Sequence, residues 1–343
     1  MKPFEYASPG TVDEAISLLG ETFDDGAILA GGTDLLTELK DGTFSPSRLV
    51  DVKRVFRLDV IEVVKKEEGE VGDGFLKIGA TARIATLEEH PEVLERFAAL
   101  AQAARETASP QIRNMATVAG SLCQRPRCWY YRSDHLCLRK GGANCLAVEG
   151  ENRFHAILGG SPCYIVHPSD LATALVVFDA QVRIRGPGGE RTVPILPASP
   201  DAKADPLKQF YVLPKDDPYR ENTLQANEIV TALRLPKPAP GVKSAFVKVR
   251  ERGAFDFSLA AAAVAANVQG GKVSWIRCSL GAVAPAPWRA HEAEAAMLGK
   301  PITLETAAAA AEAALAQAKP MTQNRFKVHL AKVVLRRAIV AVA

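Results

Sequence analysis

No stretch of this 343-residue sequence approaches the roughly 18 apolar residues that a membrane-spanning helix needs. A bilayer span is therefore not expected. The first residues, Met-Lys-Pro-Phe-Glu-Tyr, lack the apolar core of a signal peptide, so folding in the cytoplasm is expected. Charge of one sign is missing as well. The 42 Lys and Arg nearly balance the 39 Asp and Glu, and the net charge is +3. That balance argues against a nucleic-acid surface. The G-x-G-x-x-G dinucleotide fingerprint does not occur. Neither does a C-x-x-C pair, so a zinc ribbon is disfavoured.

What remains is ordinary for a globular protein: 48% hydrophobic and 24% charged residues. The length suggests two or three domains, each with its own core. Thr11 and Glu14 form a capping pattern ahead of a helix carrying Ile16, Leu18 and Leu19. The pattern predicts strands at 27–30, 48–52 and 75–81. Pro91 suits the first position of a helix to about Glu106, with Leu94, Phe97, Ala101 and Ala104 on one side. A hairpin is expected around Arg185–Glu190. Residues 198–227 read as a polar loop carrying Pro200, Pro206, Pro214 and Pro218. Strands are expected at 228–236, 243–250 and 272–281. Helices are expected at 303–318 and from Asn324 onward, the latter with Phe326, Leu330, Val333 and Val334 on its apolar side. Alanine-rich stretches are read as helical. The expected division is 1–236, with subparts of about 1–55 and 56–236, and 237–343.

Three segments bear on a cofactor. The strand before Ala30 runs into Gly31-Gly32-Thr33-Asp34-Leu35, and two glycines let backbone N–H groups approach an anion closely. That makes the turn a candidate pyrophosphate cradle, against the plainer reading of a structural turn. Thr117, Gly120 and Ser121 lie in a small-residue stretch with two hydroxyls. Asp170 is placed to accept hydrogen bonds from ribityl or ribose hydroxyls, and an N-cap of the following helix is the competing reading.

In this order the segments resemble the FAD-binding subunits of molybdenum hydroxylases, the xanthine dehydrogenase family. The resemblance runs from Phe4-Glu5-Tyr6 through Ala30–Leu36, Ile78-Gly79-Ala80-Thr81, Arg113-Asn114 and Gly120-Ser121 to Phe246-Val247-Lys248, Arg250 and Asp256. It covers nearly the whole chain. It implies an α+β fold of the vanillyl-alcohol-oxidase (PCMH) type in a two-part FAD-binding domain. A small C-terminal α+β domain of the CO dehydrogenase flavoprotein type would follow. It implies FAD held by Ala30, Gly31, Gly32, Thr33, Asp34, Leu35, Thr117, Gly120, Ser121 and Asp170. Lys248 would contact the flavin; a solvent-facing strand lysine is the alternative.

Five of the six cysteines fall between positions 123 and 163. Cys128, Cys137, Cys145 and Cys163 are separated by eight, seven and seventeen residues, a spacing that leaves a metal cluster and inert buried thiols equally open. Arg125, Arg127, Arg132, Arg139 and Lys140 surround them and would offset thiolate charge, or form a solvated loop. Here the sequence resembles the insertion, at about 123–165, of flavin subunits from bacterial periplasmic-type aldehyde oxidoreductases. That resemblance implies a [4Fe–4S] cluster on Cys128, Cys137, Cys145 and Cys163. Cys123 reads as a small buried residue near the flavin, an alternative ligand role being left open, and His135, His155 and His167 as structural.

The implied function is electron transfer in a molybdenum-dependent hydroxylase, an aldehyde oxidoreductase. One partner subunit would hold the molybdenum cofactor, another [2Fe–2S] clusters, and FAD would pass electrons to an external acceptor. Export of the assembled complex to the periplasm on a partner's signal stays open. So do a xanthine dehydrogenase or hydroxybenzoyl-CoA reductase-like complex, a stand-alone flavin oxidase, and a zinc-stabilised assembly module.

Overall fold

A computed structural model describes residues 1–65, 74–196, 208–253 and 255–343. Its elements form three sheets and two large apolar cores. The first sheet is parallel, in the order β1-β3-β2 (Glu5–Ala7, Arg48–Asp51, Ala27–Leu29). The helix Val12–Leu19 returns the chain between its first two strands. Thr11 caps that helix by accepting the Glu14 N–H, while Glu14 itself accepts from Gly10 N at 2.8 Å.

The second sheet is antiparallel, in the order β4-β5-β8-β6-β7: Ile61–Val64, Phe75–Gly79, Ile229–Pro236, Gln181–Gly186 and Gly189–Pro194. The expected hairpin closes on the pair Gly186 and Gly189. Of the expected polar loop, Pro200 and Pro206 lie outside the described residues. The single helix expected from Pro91 is two, Pro91–Arg96 and Ala98–Glu106. Phe97 breaks it, with φ −127° and ψ 47°. Its fully buried ring meets Phe178 edge-on, 5.0 Å away. Packing of that ring overrides helical continuity, and Leu94 is left 47% exposed.

The third sheet is antiparallel, in the order β12-β11-β10-β9 (Trp288–Arg289, Lys272–Gly281, Ala260–Gln269, Val242–Val249). Its β10 corrects the reading of alanine-rich stretches as helix. Residues 260–267 are buried on both faces, and β9 and β11 pair along the strand's two edges. Small side chains suit a strand covered from both sides, and that tertiary demand outweighs alanine's helix propensity. Helices His291–Met297, Leu304–Leu315 and Phe326–Val340 cover one face.

The last helix is turned from its expected register. Lys327, Ala331, Val334, Leu335, Ala338 and Ile339 face inward, whereas Phe326, Leu330 and Val333 are only partly covered. Lys327 is at the centre. Its ammonium donates to the carbonyls of Phe154, His155 and Ala282 at 3.0, 3.1 and 2.6 Å. Those bonds tie the helix to the cysteine-rich segment. Among the described residues no helix is long and apolar enough to cross a membrane.

The two larger parts touch closely. Ala99 N donates to Ser244 Oγ at 3.0 Å, and Phe246 N to Gln102 Oε1 at 2.7 Å. A Cβ on Gly281 would lie 2.4 Å from Thr173 Oγ1, so glycine lets β11 sit against the helix Asp170–Val176.

Candidate functional site: a flavin cavity beside a ring of thiols

A cavity of about 810 Å³ opens between the first sheet, the second sheet's helices and the third sheet. That size lies within the range for ligand and cofactor sites. Ala30 through Leu35 form one wall; Thr117, Gly120 and Ser121 form another; Asp170 and Lys248 close it. The structure thus brings together all eleven residues expected to hold FAD. Sequence reasoning missed other lining groups, among them Phe23, Thr107, Tyr219, Glu221 and Phe257. No local motif marks them, because loops far apart in sequence deliver them.

The glycines of the first wall have separate reasons. Gly32 has φ +71°, a left-handed conformation that disfavours side chains. A Cβ on Gly31 would lie 2.1 Å from the Met115 carbonyl oxygen, so glycine allows the turn to meet the backbone before Thr117. The following helix, Leu35–Asp41, begins its bonding with Leu36 N donating to Gly32 O at 3.1 Å. The N–H groups of Thr33, Asp34 and Leu35 precede that first bond and have no acceptor within the helix. This donor set fits an anionic pyrophosphate.

On the second wall, Thr117 caps the helix Val118–Leu122 by accepting Gly120 N at 3.2 Å. Ser121 Oγ meets Ser169 Oγ at 2.9 Å. The cap of the helix Asp170–Val176 is Ser169, accepting Ala172 N at 3.1 Å, so Asp170 is not the N-cap. Its carboxylate instead meets Lys248 Nζ at 2.6 Å and accepts from Ser258 Oγ at 2.7 Å. Lys248 also donates to Glu106 O at 3.0 Å. Its side chain is 1% exposed, so it does not face solvent. Asp170 and Lys248 are a buried ion pair joining two parts of the fold at the cavity wall.

The four thiols of Cys128, Cys137, Cys145 and Cys163 line one small cavity with Tyr130 and His155. Burial pushes the Cys128 thiol up to about 11. The neighbouring thiols of Cys145 and Cys163 act on one another, which raises the first and lowers the second to about 6; Arg139 assists the lowering. His155 Nε2 is 3.3 Å from Cys128 Sγ, and its Nδ1 is buried without a hydrogen-bond partner. Among the described residues no three His, Cys, Asp or Glu are grouped as for a single metal ion. Cys123 lines the larger cavity instead, and burial pushes its thiol up to about 12. Cys278 is fully buried in the third sheet's core. His135 bonds Ser133, and His167 is buried between Leu122 and Ser169.

The surrounding cations differ from expectation: they do not simply offset thiolates. Arg127 and Arg132 both pair with Asp34 Oδ1, at 2.9 and 2.7 Å. Arg125 and Arg139 pair with Glu221 at 3.1 and 2.7 Å. Lys140 donates to the Ser133 carbonyl. The Arg139 guanidinium also helps lower the Cys163 thiol. Three-dimensional proximity to Asp34 and Glu221, invisible in the local sequence, decided these partners.

Residues 2–238 match the family model of the FAD binding domain in molybdopterin dehydrogenase, and residues 245–342 that of the CO dehydrogenase flavoprotein C-terminal domain. The chain is an FAD-binding medium subunit of the molybdenum hydroxylase family. As such it is an oxidoreductase subunit. It is 35% identical to the aldehyde oxidoreductase FAD-binding subunit PaoB of Escherichia coli, over 97% of this chain and 96% of that one. It is 29% identical to the carbon monoxide dehydrogenase medium chain of Hydrogenophaga pseudoflava, over 98% and 96%. Among solved structures it resembles carbon monoxide dehydrogenase from Hydrogenophaga pseudoflava. There the TM-score is 0.72 and the identity 31%, covering 100% of this chain and 98% of that one. This family carries the expected α+β, two-module architecture.

Proposed function

We propose that this medium subunit serves an aldehyde oxidoreductase. In this reading it takes electrons from a partner with [2Fe–2S] clusters, itself fed by a partner with the molybdenum cofactor, and delivers them to an external acceptor. It would carry FAD and, on Cys128, Cys137, Cys145 and Cys163, a [4Fe–4S] cluster. The observation that carries the reading is one cavity bearing every expected flavin residue, with four thiols of the adjoining segment gathered around a second. The likeness to the aldehyde oxidoreductase subunit of Escherichia coli supports the substrate class.

FAD, when bound, exchanges electrons singly or in pairs, and an iron–sulfur cluster relays them singly. The chain's own task is to bind and orient. Gly31, Gly32 and Thr33, with the neighbouring backbone N–H groups of Asp34 and Leu35, would receive the pyrophosphate. Ala30 would supply backbone beside them. Thr117, Gly120, Ser121 and Asp170 would face the ribityl and adenosine parts. Lys248 would supply positive charge toward the ring edge. Four thiols suit a cuboidal cluster, whose iron atoms each take one thiolate, and this needs no three groups about one ion. The subunit's domains are proposed to divide near residue 237.

The test uses the native complex. Purification should bring down subunits containing [2Fe–2S] clusters and molybdenum. Aldehyde should bleach the flavin in that complex and leave the isolated chain oxidised. Bleaching in the isolated chain would favour a stand-alone flavin oxidase and overturn the proposal.

A further inference from the structure

Asp34 stands in the wall proposed for the pyrophosphate, where an unpaired carboxylate would repel the ligand. It is the residue before the helix Leu35–Asp41, yet its side chain makes no capping bond to that helix. Its carboxylate instead takes three donors from one short segment: Arg125 N at 2.7 Å, Arg132 Nη2 at 2.7 Å and Arg127 Nη1 at 2.9 Å. The pairs are poorly hydrated, with side-chain exposures of 15% for Asp34, 27% for Arg127 and 11% for Arg132. One turn further along the same helix, buried Glu38 accepts from Tyr131 Oη at 3.0 Å.

All these donors flank Cys128, the first of the four thiols. In the segment 124–154, Tyr131, Cys137 and Ala147 are buried, yet none of them joins the protein's three larger apolar clusters. Polar pairs dock it, among them Arg139–Glu221 and Lys327 to Phe154 O, and what its thiols bind is expected to add to its order.

We infer that Arg127 and Arg132 neutralise Asp34 at the flavin's pyrophosphate site, so that metal loading of the thiols and FAD affinity are coupled through this carboxylate. The inference rests on the proposed cradle and cluster. When the segment is ordered, two guanidiniums and one N–H cover the carboxylate. When it is not, a bare negative charge faces the pyrophosphate. Reciprocity follows: bound FAD must favour cluster retention by the same factor. Asp34 is thus a positioning residue acting through the arginines.

The experiment titrates FAD into deflavinated full-length chain, following quenching of flavin fluorescence. It does so before and after cluster removal by anaerobic chelation, with iron and sulfide assayed on each sample. Losing the cluster should weaken FAD binding by about tenfold to a hundredfold, as expected for one uncompensated charge at close range in a partly buried site. Arg132→Ala should weaken it in the same direction in the loaded protein. Asp34→Asn, which removes the charge and keeps the shape, should bind FAD with nearly equal affinity in both states, and should restore binding in the Arg132→Ala background. Equal FAD affinity of the wild type with and without cluster would overturn the inference, as would failure of Asp34→Asn to rescue Arg132→Ala. A chain that holds no iron would overturn the metal linkage, and the assay reveals this before any FAD is added. Loss of all FAD binding in every variant, including Asp34→Asn, would instead refute the cradle.

Discussion

Replacing Lys248 by Met keeps the side chain's length and removes its charge. The Lys248–Asp170 pair is almost fully buried, with side-chain exposures of 1% and 7% and an N–O distance of 2.6 Å. Without the ammonium, Asp170 retains Ser258 Oγ at 2.7 Å and its place in the first turn of the helix Asp170–Val176. Breaking a buried pair on one side typically costs about 3–5 kcal/mol. The helix terminus and the serine offset some of that, each by about 1 kcal/mol. Glu106 O loses one donor but keeps Arg250 Nη1 at 3.1 Å. The expected destabilisation of the FAD-free chain is thus about 2 kcal/mol. Urea unfolding followed by tryptophan fluorescence and by circular dichroism measures it, and coincident transitions license a single free energy. Lys248→Met/Asp170→Asn should recover most of the loss, since neither charge is then stranded. If the double variant is no more stable than Lys248→Met, the pair is not coupled and the argument fails. FAD affinity, titrated on the same variants, separates a role in flavin binding from one in stability.

Other outcomes follow from single sites. Gly31→Ala should destabilise by about 1–3 kcal/mol, because the Met115 backbone cannot yield. Gly32→Ala should cost about 1–2 kcal/mol, mainly through its positive φ, since the added methyl meets only side-chain ends of Leu36 and Leu29 at 3.0–3.3 Å. Gly31→Ala should also lose more FAD, and equal flavin content in the two purified proteins would contradict this. Cys128, Cys137, Cys145 or Cys163 changed singly to Ser should lower bound iron, whereas Cys123→Ser and Cys278→Ser should keep it. Metal analysis of the six proteins decides the ligand set. Burial holds His167 down at about 4, with Leu122 O accepting from one ring nitrogen and Ser169 N donating to the other. Unfolded, it titrates near 6.5. Between these values the unfolded chain binds the extra proton, so stability is full above about 6.5 and falls as pH drops toward 4. The loss is about 3 kcal/mol. Unfolding free energies of the wild type and His167→Gln should diverge above pH 4 and differ by a constant above about 6.5. A constant difference throughout would refute the assignment.

The local signals in the sequence determined most elements. A hydroxyl at Thr11, glycines at 186, 188 and 189, and alternation in 75–79 and 272–281 act through backbone geometry within a few residues. Such features read correctly without knowledge of the fold. The glycine turn at 31–32 was legible for the same reason, and its resemblance to a family supplied the flavin. The tertiary structure decided what depends on distant neighbours. Ala260–Gln269 is a strand because sheet partners and covering layers enclose it, a demand absent from its own composition. Phe97 splits a helix because its ring is needed against Phe178. The last helix turns Lys327 inward because three carbonyls from the cysteine segment and β11's end await a donor. Above all, the arginines near the thiols looked like counter-ions to metal. Folding set Asp34 and Glu221 within reach, and a buried carboxylate claims the nearest guanidinium because leaving either charge unpaired away from water is costly.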